Sequence, residues 1–344
     1  MLILPALLAL MPWKATASLA RLAWGFATIT LILVIGLRYE VGGDWLPYLV
    51  KFHNASGTEF SDAVKANRDP SYWFFNWLFV NAGLGIWALN LLCAVLSVSG
   101  VVAIAKRQPQ PWVALTVAVP YILVVVSMGY TRQAAALGLI CWALLAIQDQ
   151  RSWRFLVLAF AAVTFHKSAV VAMPLFLFTL PRIKLRHWLL LAAMLVAIIA
   201  VLVAETFDTQ WYTYVEKQKE SEGALIRVAM NLPPALFLLL WKKRLGLDDS
   251  RLRHWSWMAW LSLAGLFLVS FASTAVDRLA LYLLPLQMVV YSRVYLLSSD
   301  RLLRSVFPIA ILLLYAAVMF VWLSFAKHSE SWLPYQFYPF VNLY

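Results

Sequence analysis

The chain is divided into apolar runs that are too long and too numerous for a water-soluble core. They fall at about 2–13, 22–37, 86–105, 112–130, 133–148, 154–180, 188–204, 225–241, 255–274, 279–297 and 305–326. A helix needs about 20 apolar residues to cross a bilayer, and many of these runs approach that length. In lipid the backbone must satisfy its own hydrogen bonds. Continuous apolar runs do this as helices, whereas barrel strands would alternate apolar and polar. The sequence therefore predicts an all-α, polytopic integral membrane protein with about 10 transmembrane helices in a single domain, 1–344. Composition agrees where it matters: 13% of residues are charged, against about 25% in soluble domains, which leaves no room for a second, soluble domain. The run 2–13 has no basic n-region and no A-x-A site, so it reads as a short first helix and not a cleaved signal. Cys93 and Cys141 lie inside apolar runs and read as small buried hydrophobes, not as a disulfide or a metal pair.

Basic connectors separate the runs, and short Lys/Arg-rich loops belong on the cytoplasmic side. Those connectors are Lys14/Arg21, Lys106/Arg107, Arg151/Arg154, Arg182/Lys184/Arg186, 242–253 and Arg301/Arg304. Placed inside, together with Arg293, they collect 17 of the 28 basic residues and four of the 16 acidic ones. The +12 net charge is thus topological, and nucleic acid is not an expected partner. The run 154–180 resists this scheme because basic residues flank it on both sides. Keeping both flanks inside makes it a broken, re-entrant hairpin joined near His166-Lys167-Ser168. Such irregular backbone is tolerated at membrane depth where it lines a polar cavity.

The outer face then receives the segment 38–72, the turn 130–133, the loop 205–224, residues 274–278 and the tail 327–344. Segment 38–72 holds four basic and five acidic residues and continues into Tyr72–Val80, which is aromatic and too short to span. An outer-face interfacial segment near 38–83 is the expectation. Many of the 17 tryptophans lie near run ends, as an aromatic belt requires.

Charged groups at the outer run ends are the candidates for chemistry, each with a plainer alternative. Arg38 and Asp44 bracket Gly42-Gly43, where the chain can approach a ligand closely; the alternative is a helix stop and an ordinary interfacial loop. Arg132 sits in a tight turn between two apolar runs, and its guanidinium suits a phosphate or diphosphate; otherwise it snorkels. His166 could act as a general base or acid, or be a satisfied core residue, although Lys167 and Ser168 make that polar cluster expensive to bury. Asp277-Arg278 could serve a ligand or neutralise each other, and Arg227 could mark an interface. A Gly-x-x-x-x-Gly-Lys loop, His-Glu-x-x-His and Gly-x-Ser-x-Gly are absent from the sequence, so nucleotide hydrolysis is not expected. Arginines, one histidine and carboxylates on one face suit a diphosphate leaving group and an attacking hydroxyl.

Four motifs in order carry a family resemblance: Arg38-Tyr39-x-Val41-Gly42-x-Asp44-Trp45-x-x-Tyr48, Asp69-Pro70-x-Tyr72, Arg132-Gln133-x-x-Ala136 and Phe165-His166-Lys167-Ser168-Ala169. With the hydropathy between them, the chain resembles the EpsG-like members of the Wzy-type bacterial polysaccharide polymerases. Asp69 stands where that pattern has Glu, which keeps the carboxylate. After about residue 200 the likeness lies in hydropathy more than in motif. The resemblance implies a polymerase of exopolysaccharide, capsule or O-antigen repeat units. Such an enzyme works at the outer face of the cytoplasmic (inner) membrane on oligosaccharides linked to undecaprenyl diphosphate, without nucleotide sugar, cofactor or metal. It implies catalytic roles for His166, Asp44 and Arg132. Arg38, Asp69, Tyr72, Trp45, Gln133, Lys167, Arg227, Asp277 and Arg278 would bind substrate. The expected partners are the lipid-linked donor and acceptor, membrane lipid, and a chain-length regulator and flippase serving the same glycan. A ligase on the same lipid-linked glycan and a transporter of it are the competing functions; a transporter would need a polar path, often with repeat symmetry.

Overall fold

The computed structural model describes residues 1–11, 16–59, 69–179, 224–270 and 273–341, with isolated positions between 184 and 196. The expected span 188–204 and loop 205–224 therefore lie almost wholly outside the described residues, as does the stretch 60–68. The described chain is helical apart from one pair of two-residue strands. In order come α1 (Ile3–Leu10), α2 (Ala17–Gly36), β1 (Arg38–Tyr39), α3 (Trp45–Asn54), α4 (Pro70–Asn81) and α5 (Ile86–Lys106). Then follow α6 (Pro111–Gly129), α7 (Thr131–Gln148), α8 (Ser152–Phe165) and a 3-10 segment, Lys167–Thr179. The rest comprises α9 (Ala224–Ala229), α10 (Leu232–Trp241), α11 (Asp249–Leu268), α12 (Ser273–Ala280), α13 (Pro285–Tyr291), α14 (Arg301–Phe325) and β2 (Gln336–Phe337).

Among the described residues, α2, α5, α6, α7 and α14 are long and apolar enough to cross a membrane. Of the others, run 255–274 folds mainly within the 20-residue α11, run 188–204 lies almost wholly outside the described residues, and three runs break into shorter pieces. Run 225–241 divides at Asn231, ahead of Pro233-Pro234, and run 279–297 divides around Pro285. Run 154–180 breaks at His166, whose backbone is extended, and the 3-10 segment after it packs against α8 and α7. Pro120 brings no N–H to α6, and the helix widens into π geometry over Val119–Val126.

α7 runs through the middle, packed on α5, α8 and the 3-10 segment. The apolar windows of α6 and α7 are 94% and 83% buried, against 28% and 22% for α2 and α14. Those two outer helices turn Leu22, Phe26, Leu313 and Phe320 outward, the surface a lipid-facing helix needs. α5 and α7 touch backbone to backbone, because a Cβ on Gly138 would lie 2.1 Å from the Leu96 carbonyl oxygen.

α7 is ~27 Å long at 1.5 Å per residue, so it separates two polar ends. At the Gln148 end, Arg107 grips Asp149 with bonds of 2.6 and 2.9 Å. Gln150 there donates to Ser250 at 3.2 Å, and buried Arg293 donates to Gln108 and to the Val289 carbonyl. These are connectors that the charge pattern grouped on one face. The Thr131 end gathers the motif residues.

The tail after α14 folds over that second end. β2 pairs antiparallel with β1, placing Phe337 opposite Arg38. The Gly42 N–H donates to the Ser331 carbonyl at 2.7 Å. Gly42 has φ +106°, and a Cβ there would lie 2.3 Å from the Met128 carbonyl oxygen, so the position needs glycine twice over. Trp332 is buried, and its indole N–H donates to the Val124 carbonyl in the π segment at 3.0 Å. Trp332→Ala should lower the thermal midpoint in detergent through a loss of about 3–5 kcal/mol, the usual cost of deleting a buried large aromatic. It should also speed proteolysis between residues 327 and 341. An unchanged midpoint would mean that the tail merely rests on the surface.

Candidate functional site

The site is built on a carboxylate that forgoes its usual task. Asp69 holds the N-cap position of α4, with Pro70 next as the first helical residue. An aspartate there ordinarily accepts a hydrogen bond from its own helix, as Asp248 does from the Arg251 N–H (2.8 Å) and Asp300 from the Leu302 N–H (2.7 Å). Asp69 makes no such cap. Its Oδ2 accepts from Arg132 Nη1 at 2.5 Å and its Oδ1 from the Lys167 backbone N–H at 3.2 Å. Oδ1 also faces His166 Nδ1 at 3.6 Å. One side chain, 3% exposed, thus joins the start of α4, the start of α7 and the break after α8. Burial pushes the carboxyl up; His166, Arg132 and the Lys167 N–H together overcome this and hold it below its usual value. The stabilisation from this pairing is therefore present at neutral pH and is lost as pH falls through the lowered value.

Arg132 is the second residue of α7. Its guanidinium lies 5.6 Å from the Tyr48 ring centroid and 5.7 Å from that of Tyr72, which adds cation–π attraction to the ion pair. Among the described residues, Arg132 Nε, the buried Tyr72 hydroxyl and His166 Nδ1 have no hydrogen-bond partner. Asp44 is the N-cap of α3 and, like Asp69, makes no side-chain cap. Burial raises its carboxyl, and the opposing pull of Arg132 and Lys51 does not cancel that rise. Asp44 is thus a half-buried, more basic carboxylate within electrostatic reach of Arg132.

The α12 residues enter from the side. Gln133 donates to the Arg278 carbonyl at 3.0 Å, tying that helix to the start of α7. Arg278 lies within electrostatic reach of both Asp44 and His166. Asp277 does not simply neutralise its neighbour: Arg227 grips both of its oxygens, at 2.5 and 2.7 Å. Ser168 and the Tyr282 hydroxyl share a hydrogen bond at 3.1 Å.

Arg38 lies beneath the site instead of lining it. It is 1% exposed, and its donors go to the Ile35 and Val41 carbonyls (2.8 and 3.1 Å), Thr131 Oγ1 (2.7 Å) and Asn90 (3.4 Å). The Trp45 ring covers it at 5.9 Å. The geometry makes Arg38 a brace between the Val41 turn, α5 and α7. Sequence reasoning gave no role to Tyr48, which stands four residues after Asp44 and so on the same helical face. It also passed over Tyr282, although a polar-tipped residue inside an apolar run is itself a signal.

Among the described residues, no three His, Cys, Asp or Glu side chains are grouped so that they could hold a metal ion. What the cluster can do is hold an anion against Arg132 and offer Asp44 to a proton. No curated protein and no solved structure matches the chain significantly. The model of the EpsG family does match it, over residues 21–337, and the chain belongs to that family.

Proposed function

We propose that the protein polymerises oligosaccharide repeat units carried on undecaprenyl diphosphate at the outer face of the bacterial cytoplasmic membrane, building exopolysaccharide, capsule or O-antigen. Family membership supports a polysaccharide-polymerase type of glycosyltransferase, since EpsG is a Wzy-like polymerase family. The observation that carries the finer reading is the uncapped Asp69 holding Arg132 between two tyrosines, with uncapped Asp44 within electrostatic reach. Arg132, with Arg278, binds the donor diphosphate. The acceptor hydroxyl attacks the anomeric carbon, and a new C–O bond forms as the bond to the diphosphate oxygen breaks. Asp44 takes the hydroxyl proton, and the lipid diphosphate leaves against the arginines. Direct displacement inverts the anomeric centre. Asp69 and His166 position Arg132, while Tyr72, Tyr48 and Trp45 shape the sugar site. Charge stabilisation by pre-placed cations is the largest contribution such a site can make.

A deletion strain complemented with wild-type or Asp44→Asn protein tests this reading. Glycan is sized on gels and the lipid-linked fraction extracted beside it. The expected result is loss of polymer with single lipid-linked units accumulating outside the membrane. Long polymer left on its lipid would make the protein a ligase, and units retained on the inner leaflet would make it a transporter.

A further inference from the structure

An apolar cavity of about 130 Å³ lies behind α12, between α7, the 3-10 segment, α9 and α11. We propose that it is a chain-binding subsite for one or two isoprene-sized units of a polyprenyl diphosphate whose head group lies at Arg132 and Arg278, an inference that rests on the site reading above. Its walls include Ile140, Val171, Leu175, Val228 and Leu268. Three polar residues also line it, and each has its polar atoms bound elsewhere. Asn231 donates to the Ala280 carbonyl (3.1 Å) and accepts from Gln287 (2.9 Å). Ser262 donates to the Met258 carbonyl (2.8 Å), and the Tyr282 hydroxyl is paired with Ser168. A cavity whose polar groups are already satisfied has nothing to hold water, and an apolar cavity near 150 Å³ takes a benzene-sized guest. The occupant that fits is hydrocarbon, and only a short stretch of it.

Position selects which hydrocarbon. Ile140 is halfway along α7, ~13 Å from its start at 1.5 Å per residue, so the cavity lies at membrane depth. α12 presents Val276, Leu279 and Ala280 to it while carrying Arg278, whose carbonyl is tied to the start of α7. Tyr282 belongs to both places: its ring lines the cavity, and its hydroxyl bonds Ser168, two residues from His166. An apolar slot next to a cationic cluster complements a lipid with an anionic phosphate head. Gly265 holds the slot open. A Cβ there would meet Val228 and Val276 at 3.6 and 3.7 Å, ordinary contact distances, so alanine fits and only a large side chain fills the space.

The test uses the full-length protein in nanodiscs of phosphatidylethanolamine and phosphatidylglycerol. The probes are a polyprenyl diphosphate with a photoreactive group on its second isoprene unit and a phosphatidylglycerol with one on its acyl chain. The expected result is labelling within 261–268 and 171–175 by the first probe, competed by unlabelled polyprenyl diphosphate. Gly265→Phe and Ala264→Phe should reduce it by about tenfold or more through lost apolar burial, with Gly265→Ala at wild-type level and thermal midpoints preserved. Equal, uncompeted labelling by phosphatidylglycerol would overturn the proposal, as would full labelling in either folded phenylalanine variant. The two readings fail separately. Normal polymer from Gly265→Phe removes the subsite alone, whereas competed labelling by a protein that makes no polymer removes the polymerase alone.

Discussion

Arg132→Lys should keep wild-type protein levels in the membrane and cut polymer by about 10²–10³-fold, the usual loss when one donor is removed from a charge-stabilising site. Lysine leaves a positive charge beside Asp69, so the buried carboxylate keeps a counter-ion. What goes is the planar fork and its place between the Tyr48 and Tyr72 rings, and lysine reproduces neither. Arg132→Ala is the less informative variant. It leaves Asp69, 3% exposed, without its closest cation, and breaking a buried pair costs about 3–5 kcal/mol. Lost polymer could then reflect lost protein. Gel sizing of the glycan together with quantification of membrane-inserted protein separates the two. Full-length polymer at normal yield from the lysine variant would reduce Arg132 to a bracing cation.

Gly138→Leu should leave little folded protein, and Gly138→Ala should already lower the thermal midpoint in detergent, as should Gly100→Ala on the facing helix, whose Cβ would meet the Gly138 carbonyl. The Gly138→Ala Cβ would sit 2.1 Å from the Leu96 carbonyl oxygen and 2.6 Å from the Ser97 Cα. Both are backbone atoms of α5, so no rotamer relieves the clash and the two helices must move apart. Overpacking of a tight core costs about 1–3 kcal/mol and sometimes more. Here it also displaces the helix that carries Arg132 and Gln133 from the one that carries Asn90. Gly25→Ala is the control, because a Cβ there meets nothing within 4 Å. Equal midpoints for Gly138→Ala and Gly25→Ala would show that α5 and α7 do not approach this closely.

The motif residues were legible in the sequence because a charge at the end of an apolar run is costly unless it has a purpose. Arg132 betrays itself in that way and His166 as a polar interruption inside a run, whereas Asp69 stands out only through the motif that carries the family resemblance; the fold brings the three to one place. Which charge meets which was not legible. Asp277-Arg278 reads as a neighbouring pair, yet Asp277 turns to Arg227, 50 positions away. Arg38 carries the same end-of-run signature as Arg132 and is instead consumed by backbone carbonyls. Hydropathy recorded the break at His166 because polar residues mark it. It missed the one at Pro285, where Leu281–Leu284 and Leu286 keep the run apolar. Trp332 reads as one more belt tryptophan, and only the fold shows it seated on the π segment.

The clasp between the two chain ends also sets a clock. Tyr335 donates to the Val34 carbonyl across 301 residues of sequence, and Ser331 accepts from Gly42, two residues before Asp44. At about 5–20 residues per second of synthesis, the segment carrying Asp44 waits on the order of 15–60 s outside the ribosome before its fastening exists. Until then it is held only by its contacts with α4, α5, α6 and α7. The machinery is thus assembled last-in, first-needed: an interrupted or shortened chain could insert most of its helices and still lack a formed centre, so partial products in the membrane would be inert toward the glycan.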